Sequence, residues 1–177
     1  ANVAVSLANY GVDASYVTKV PANDIAKSAL RELKAHDVDT SDVVIGGERL
    51  GLYFCEKGAS QRASKVIYDR KYSAISMAEQ SDFDWNKILD GADWFHFTGI
   101  TPALSDNCAA ICLDAVKAAK AKNITVSCDL NFRKNLWTSE KAGKVMAGLM
   151  EYVDVAIANE EDCEKVFGIK AENTDIT

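Results

Sequence analysis

Ile124-Thr125-Val126-Ser127-Cys128-Asp129-Leu130-Asn131-Phe132-Arg133 is a short β-branched run that closes on an acid, an amide and an arginine. In an open α/β sheet, ligands bind just beyond the carboxyl ends of the strands. Asp129, Asn131 and Arg133 at such an edge suit a small, polar, anionic molecule. Taken alone, residues 129–133 read equally as surface loop, so the flanking sequence decides.

Upstream, a short helix at 85–89 leads to a strand at 94–97 and a loop at 98–105. Ser105 is placed to cap a helix whose Cys108, Ile111, Cys112, Ala115, Val116 and Ala119 share one face. Downstream, a helix carrying Ala142, Val145, Met146 and Leu149 precedes a strand at 153–157, and a last helix runs from Glu160 to Phe167 before Gly168. Strand alternating with helix on this spacing predicts right-handed βαβ units and a parallel sheet.

Toward the start, Val3, Leu7 and Tyr10 face one way on a helix that stops at Gly11, and a short strand is expected at 15–20. A helix over 24–36 repeats Ala26, Ala29, Leu30 and Leu33 at core-facing spacing. The texture then changes. Residues 43–45, 50–55, 65–69 and 74–77 read as successive short strands without intervening helices. They are expected to form a small antiparallel sheet, a lid over 43–77, on an α/β core made of 1–42 and 78–177.

The 177 residues are 48% apolar and 26% charged, ordinary for a soluble globular protein. A net charge of -6 argues against nucleic acid or an anionic membrane as partner. The five cysteines lack zinc-type spacing and read as reduced, mostly buried thiols of a cytoplasmic protein. The chain opens on Ala1 inside a helical pattern and trails off over 171–177, so both ends read as cut from a longer protein.

Candidate chemistry sits in three places. Tyr68 and Arg70 are two apart, so a strand projects them to one side, with Tyr53 on a neighbouring strand. A guanidinium forks a carboxylate and a phenol takes a hydroxyl, which suits a hydroxylated acid. An amphipathic strand with a surface ion pair explains the same residues. Arg133 adds a second positive charge and Asn131 an amide; Arg133 reads alternatively as a solvated loop residue. Asn159-Glu160-Glu161-Asp162 opens a helix, where acids commonly complement the dipole. Its functional alternative is a cluster that holds water around magnesium. His36 reads as exposed and His96 as a satisfied core residue; Cys108 and Cys112 read as packing, and Trp85, Trp94 and Trp137 as core. No dinucleotide glycine motif, phosphate-binding P-loop or nucleophile elbow is present in the sequence.

These segments together resemble the ribokinase-like family of carbohydrate kinases over essentially all 177 residues. The resemblance rests on Asn2-Val-Ala-x-x-Leu-Ala-x-x-Gly11, the lid strands, Arg70-Lys-Tyr-Ser-Ala-Ile-Ser76, Gly99-Ile-Thr-Pro-Ala-Leu-Ser105, Asp129-Leu-Asn-Phe-Arg133 and the acidic segment at Asn159. It implies a Rossmann-type parallel sheet flanked by helices with a small β lid, and transfer of the γ-phosphoryl of ATP to a sugar acid, 2-keto-3-deoxygluconate. By the resemblance, Asn2, Tyr53, Tyr68, Arg70 and Arg133 contact the sugar acid, and Asn131, Arg133 and Asn159 lie near the nucleotide phosphates. Asp162 acts on Mg2+ through water, standing where the family has a glutamate. The family's Gly-Ala-Gly-Asp segment, with the catalytic base, is expected beyond Thr177, so these residues alone should be inactive. A homo-oligomer through the lid is expected. Alternatives are a fructokinase or other sugar kinase of the family, and, in another class, a non-catalytic sugar-acid-binding protein.

Overall fold

The structure is a computed structural model that describes residues 1–170; the trailing stretch 171–177 lies outside the described residues. The chain divides into two compact units, 1–78 and 79 onward.

In the first unit, α1 (Asn2–Asn9) ends at Gly11 as its sequence pattern requires. β1 (Lys19–Val20) is followed by α2 (Asp24–Ala35), which starts where the Asn23 side chain accepts the Ala26 N–H at 2.9 Å. Of the expected strand at 15–20 only β1 forms a ladder; Ser15 makes a lone parallel bridge to Asp39. β2 (Val44–Ile45) then runs parallel to β1, with Lys19 opposite Val44 and Val20 opposite Ile45. Residues 43–45, expected among the lid strands, therefore pair with the framework. The reason is burial: Val20, Ala26 and Val43 form one small core, with Leu30 and Leu50 against it. A helix crossover that buries both strands on the same helix face makes them parallel neighbours.

β3 (Leu52–Glu56) and β4 (Lys65–Asp69) form a five-pair antiparallel hairpin. Tyr53 stands opposite Tyr68, and Phe54 opposite Ile67. Residues 74–77, also expected as a strand, are turns instead. Met77 N–H donates to the Ser73 carbonyl at 3.1 Å and Ala78 N–H to that of Ile75 at 3.2 Å, which buries Ala74 and Ala78. Local turn bonds thus override the β-branched pattern there.

In the second unit, α3 (Trp85–Ile88) leads to β5 (Trp94–Thr98). The expected loop at 98–105 contains a short helix, α4 (Ile100–Ala103), whose Pro102 sits in the first turn, where no N–H is missed. Ser105 caps α5 (Asp106–Ala121) through the Cys108 N–H at 3.1 Å, and all six residues of the expected stripe are buried. β6 (Thr125–Asp129), α6 (Ser139–Met150), β7 (Val155–Ile157) and α7 (Glu160–Phe167) complete the unit. The sheet is parallel, in the order β5-β6-β7. Phe97, Val126 and Cys128 from its strands pack with Val116, Met146 and Leu149 from α5 and α6.

Trp94, expected in the core, is 56% exposed on the opposite sheet face, where its indole N–H donates to Ser127 Oγ at 2.7 Å. Strand alternation decides this, because Phe95 and Phe97 take the helix side. His96 Nδ1 lies 2.8 Å from the same hydroxyl, and partial burial lowers its pKa. No disulfide joins any of the five cysteines. Burial pushes the Cys112 thiol upward and that of Cys128 to about 12, so neither offers a thiolate at neutral pH. Cys55 is exposed on the hairpin.

Asp154 ties the entry of β7 to β6. Its carboxylate pairs with Lys120 at 2.7 Å and accepts the Val126 N–H at 2.9 Å, and these two contacts hold its pKa below the ordinary carboxylate value. A pKa depressed in the folded state gives stability that is present above the unfolded value, about 3.9, and is lost as pH falls through the folded value. Asp154→Asn should therefore be less stable than wild type at pH 7 in urea denaturation. That gap should close as pH falls below the ordinary aspartate range; a constant gap would assign the effect to geometry rather than charge.

Candidate functional site

At the carboxyl edge of the second unit's sheet, Thr98, Asp129 and Ile157 lie side by side in register. The chain is locked just beyond them. Gly99 N–H donates to the Asp129 carbonyl at 2.8 Å, and Leu130 N–H to that of Ile157 at 2.9 Å. A Cβ on Gly99 would lie 2.1 Å from the Leu130 carbonyl oxygen, so glycine is what lets the two strand exits touch.

Asn131 holds φ +41°, a left-handed conformation that asparagine tolerates better than most residues. Its amide donates to Thr98 Oγ1 at 3.3 Å. Phe132 N–H donates to Asp162 Oδ1 at 3.2 Å. Asp162 is only 7% exposed, and its own N–H donates to Asn159 Oδ1 at 2.7 Å, the cap of α7. Arg133 is exposed four residues past β6, with one Nη on the Phe132 carbonyl at 3.1 Å. Asn159 also borders an open hollow of about 310 Å³ together with Glu160, Cys163 and Lys170. The expected residues 131, 133, 159 and 162 thus belong to one edge. Thr98 was not singled out by sequence reading, and Gly99 entered only as the first residue of the Gly99–Ser105 segment, although their place at the end of β5 is the same signal that marks Asp129.

Asp162 was expected to face hydrated magnesium. In the structure one carboxylate oxygen is engaged by the Phe132 N–H, and among the described residues no group of three or more His, Cys, Asp or Glu could hold a metal ion. These side chains do not form a magnesium ligand set by themselves.

The second group of expected residues lies on the hairpin of the first unit. Tyr53 and Tyr68 sit with ring centroids 6.3 Å apart, and the Arg70 guanidinium lies 4.2 Å from the Tyr68 ring centroid. The ladder fixes this grouping, since Tyr53 and Tyr68 are direct cross-strand partners and Arg70 follows two residues later. A guanidinium stacked on a phenol keeps its N–H fork free for an anion while the ring fixes its plane. Asn2 is exposed at the first position of α1. Arg49, which braces the chain on either side of Arg70, was missed; nothing in the local sequence marks it.

The family model for pfkB family carbohydrate kinases matches residues 1–177, and the chain belongs to that family. The crystal structure of 2-dehydro-3-deoxygluconokinase from Thermotoga maritima is 57% identical with a TM-score of 0.95, the match covering 99% of this chain and 54% of that one. A PfkB family carbohydrate kinase from Listeria grayi is 38% identical with a TM-score of 0.93, over 98% of this chain and 54% of its own. The 2-dehydro-3-deoxygalactonokinase of Haloferax volcanii is 32% identical over 165 residues, 93% of this chain and 52% of its own. The chain spans about half the length of these relatives. The ribokinase-like fold expected from the sequence is that of the family.

The contact at Gly99 gives a direct check. Gly99→Ala should destabilise the protein by more than about 2 kcal/mol, since the added methyl meets backbone that cannot rotate away. Thermal or urea unfolding measures it. A change within about 0.5 kcal/mol, the range of ordinary surface substitutions, would show that the two strand exits are not in contact.

Proposed function

We propose that the protein carrying this chain transfers the γ-phosphoryl of ATP to the terminal hydroxyl of 2-keto-3-deoxygluconate. The observation that carries this reading is the guanidinium of Arg70 stacked on Tyr68 beside Tyr53. It offers a fork for a carboxylate and phenols for hydroxyls, the groups that separate a sugar acid from a neutral sugar. Likeness to the Thermotoga maritima 2-dehydro-3-deoxygluconokinase supports the same substrate. Asn2 and Arg133 are assigned to the sugar acid as well. Asn131, Arg133 and Asn159 are assigned to the nucleotide phosphates, where positioning and charge stabilisation do most of the work of phosphoryl transfer.

Mg2+ enters this reading with the nucleotide, since it is commonly held by phosphates plus one or two carboxylates and keeps several waters. Asp162 then serves the edge chiefly by holding the Phe132 N–H. The base that takes the hydroxyl proton is assigned to a residue outside these 177 positions, and the 177 residues alone would then be inactive. The lid is taken as the hairpin of β3 and β4 and its flanking turns. Its other face exposes Phe54 by 57% and Ile67 by 51%, which a second copy of the chain would cover. Reduced thiols and the use of ATP support a cytoplasmic location for the enzyme. No helix among the described residues is long and apolar enough to cross a membrane.

The test is kinetic and uses the full-length enzyme. A charge-assisted hydrogen bond from Arg70 is worth roughly 1.5–3 kcal/mol. Arg70→Ala should thus lower kcat/KM for 2-keto-3-deoxygluconate by roughly 10- to 150-fold, and that for fructose much less. The galactonate epimer belongs in the same assay, because one relative is named for it. A wild type that prefers fructose would replace this reading with a fructokinase, and binding without turnover would replace it with a sugar-acid-binding protein.

A further inference from the structure

We propose that Arg49 is a positioning residue that aims Arg70, and so sets the selectivity for a carboxylate over a neutral sugar. This rests on the sugar-acid reading of Arg70. Arg49 Nη1 donates to the Lys71 carbonyl at 3.0 Å, and Nη2 to the Asp69 carbonyl at 3.0 Å. The same Nη2 pairs with the Asp69 carboxylate at 2.7 Å. All three acceptors belong to the two residues that flank Arg70. Arg49 also uses its own backbone on this turn, its carbonyl accepting the Ala74 N–H at 2.8 Å.

The turn is one that requires holding. Tyr72, directly after Lys71, has φ +56°, a left-handed conformation that a non-glycine residue keeps only where its surroundings over-determine it. Arg49 supplies that determination from a position more than 20 residues away in sequence. The two carbonyl anchors hold the backbone on either side of Arg70, whose guanidinium lies over the Tyr68 ring. A planar guanidinium with separate N–H groups spans two carbonyls and a carboxylate at once. A lysine keeps the charge but, as a point donor, does not reproduce that fork.

The experiment compares wild type, Arg49→Lys, Arg70→Ala and the double variant of the full-length enzyme on two substrates. One is 2-keto-3-deoxygluconate; the other is 3-deoxyfructose, the same carbon skeleton with an alcohol in place of the carboxylate. Arg49→Lys should lower kcat/KM for the acid by about 10- to 100-fold, mainly through KM, and for 3-deoxyfructose by less than about threefold, the scale on which a misplaced binding group acts. In the Arg70→Ala background the same change should cost nothing more, because the two residues act as one unit. Hydrogen exchange of residues 69–74 supplies a readout independent of substrate and should accelerate in Arg49→Lys while the rest of the chain is unchanged. Equal losses on both substrates, additive losses in the double variant, or unchanged exchange at 69–74 would each overturn the proposal. Arg70→Ala alone reports on the underlying sugar-acid reading. Equal losses there reject that reading, and the exchange result alone then decides whether Arg49 holds the turn.

Discussion

The carboxylate of Asp162 is buried against a backbone N–H that belongs to a different βα loop, and the carboxyl edge of the sheet is organised around that contact. A buried charge is costly unless hydrogen-bonded, so Asp162 and Phe132 specify each other's place. The bond joins the chain just after β6 to the first turn of α7, thirty residues on. Asn159 closes the arrangement by accepting the Asp162 N–H, while the acids of that turn also complement the helix dipole. With Gly99 on the Asp129 carbonyl and Leu130 on that of Ile157, every strand exit of this sheet is tied to its neighbour. Asn131 and Arg133 therefore project from a fixed frame. A site that must hold transferred charge gains most when its dipoles are set beforehand.

The hairpin of the first unit follows a different physical logic. No residue of β3 or β4 is buried, and a two-stranded ladder alone is marginal in water. Its tyrosines and Arg70 are grouped by cross-strand register and by stacking, with the turn after β4 braced by Arg49. Elements with few buried contacts open at low free energy, which on the proposed reading suits a segment that acts as a lid.

What the sequence disclosed follows from what is local. The stripe on α5, the Ser105 cap and the succession of parallel strands depend on residues within a turn or two of each other, and periodicity records them. Tyr68 and Arg70 were legible because a spacing of two fixes their side. Residues 43–45 were misassigned because a two-residue strand carries no mark of its partner, which the core at Val20 and Ala26 selects. Trp94 was misplaced because a large apolar residue in a strand does not announce which face the helices cover. Arg49 and the Phe132–Asp162 bond were invisible for the same reason: each joins positions twenty to thirty residues apart through backbone atoms, which no side-chain pattern encodes.

The most direct test of the frame compares Asp162→Asn with Asp162→Ala in the full-length enzyme, reading KM for ATP. Asparagine keeps an oxygen able to accept the Phe132 N–H, whereas alanine leaves that donor without its partner. If Asp162 acts by holding the loop, Asp162→Asn should stay within about threefold of wild type, and Asp162→Ala should raise KM by roughly tenfold, the equivalent of a lost hydrogen bond. Equal damage from both substitutions would mean that the negative charge itself is what the site requires, and would contradict the account.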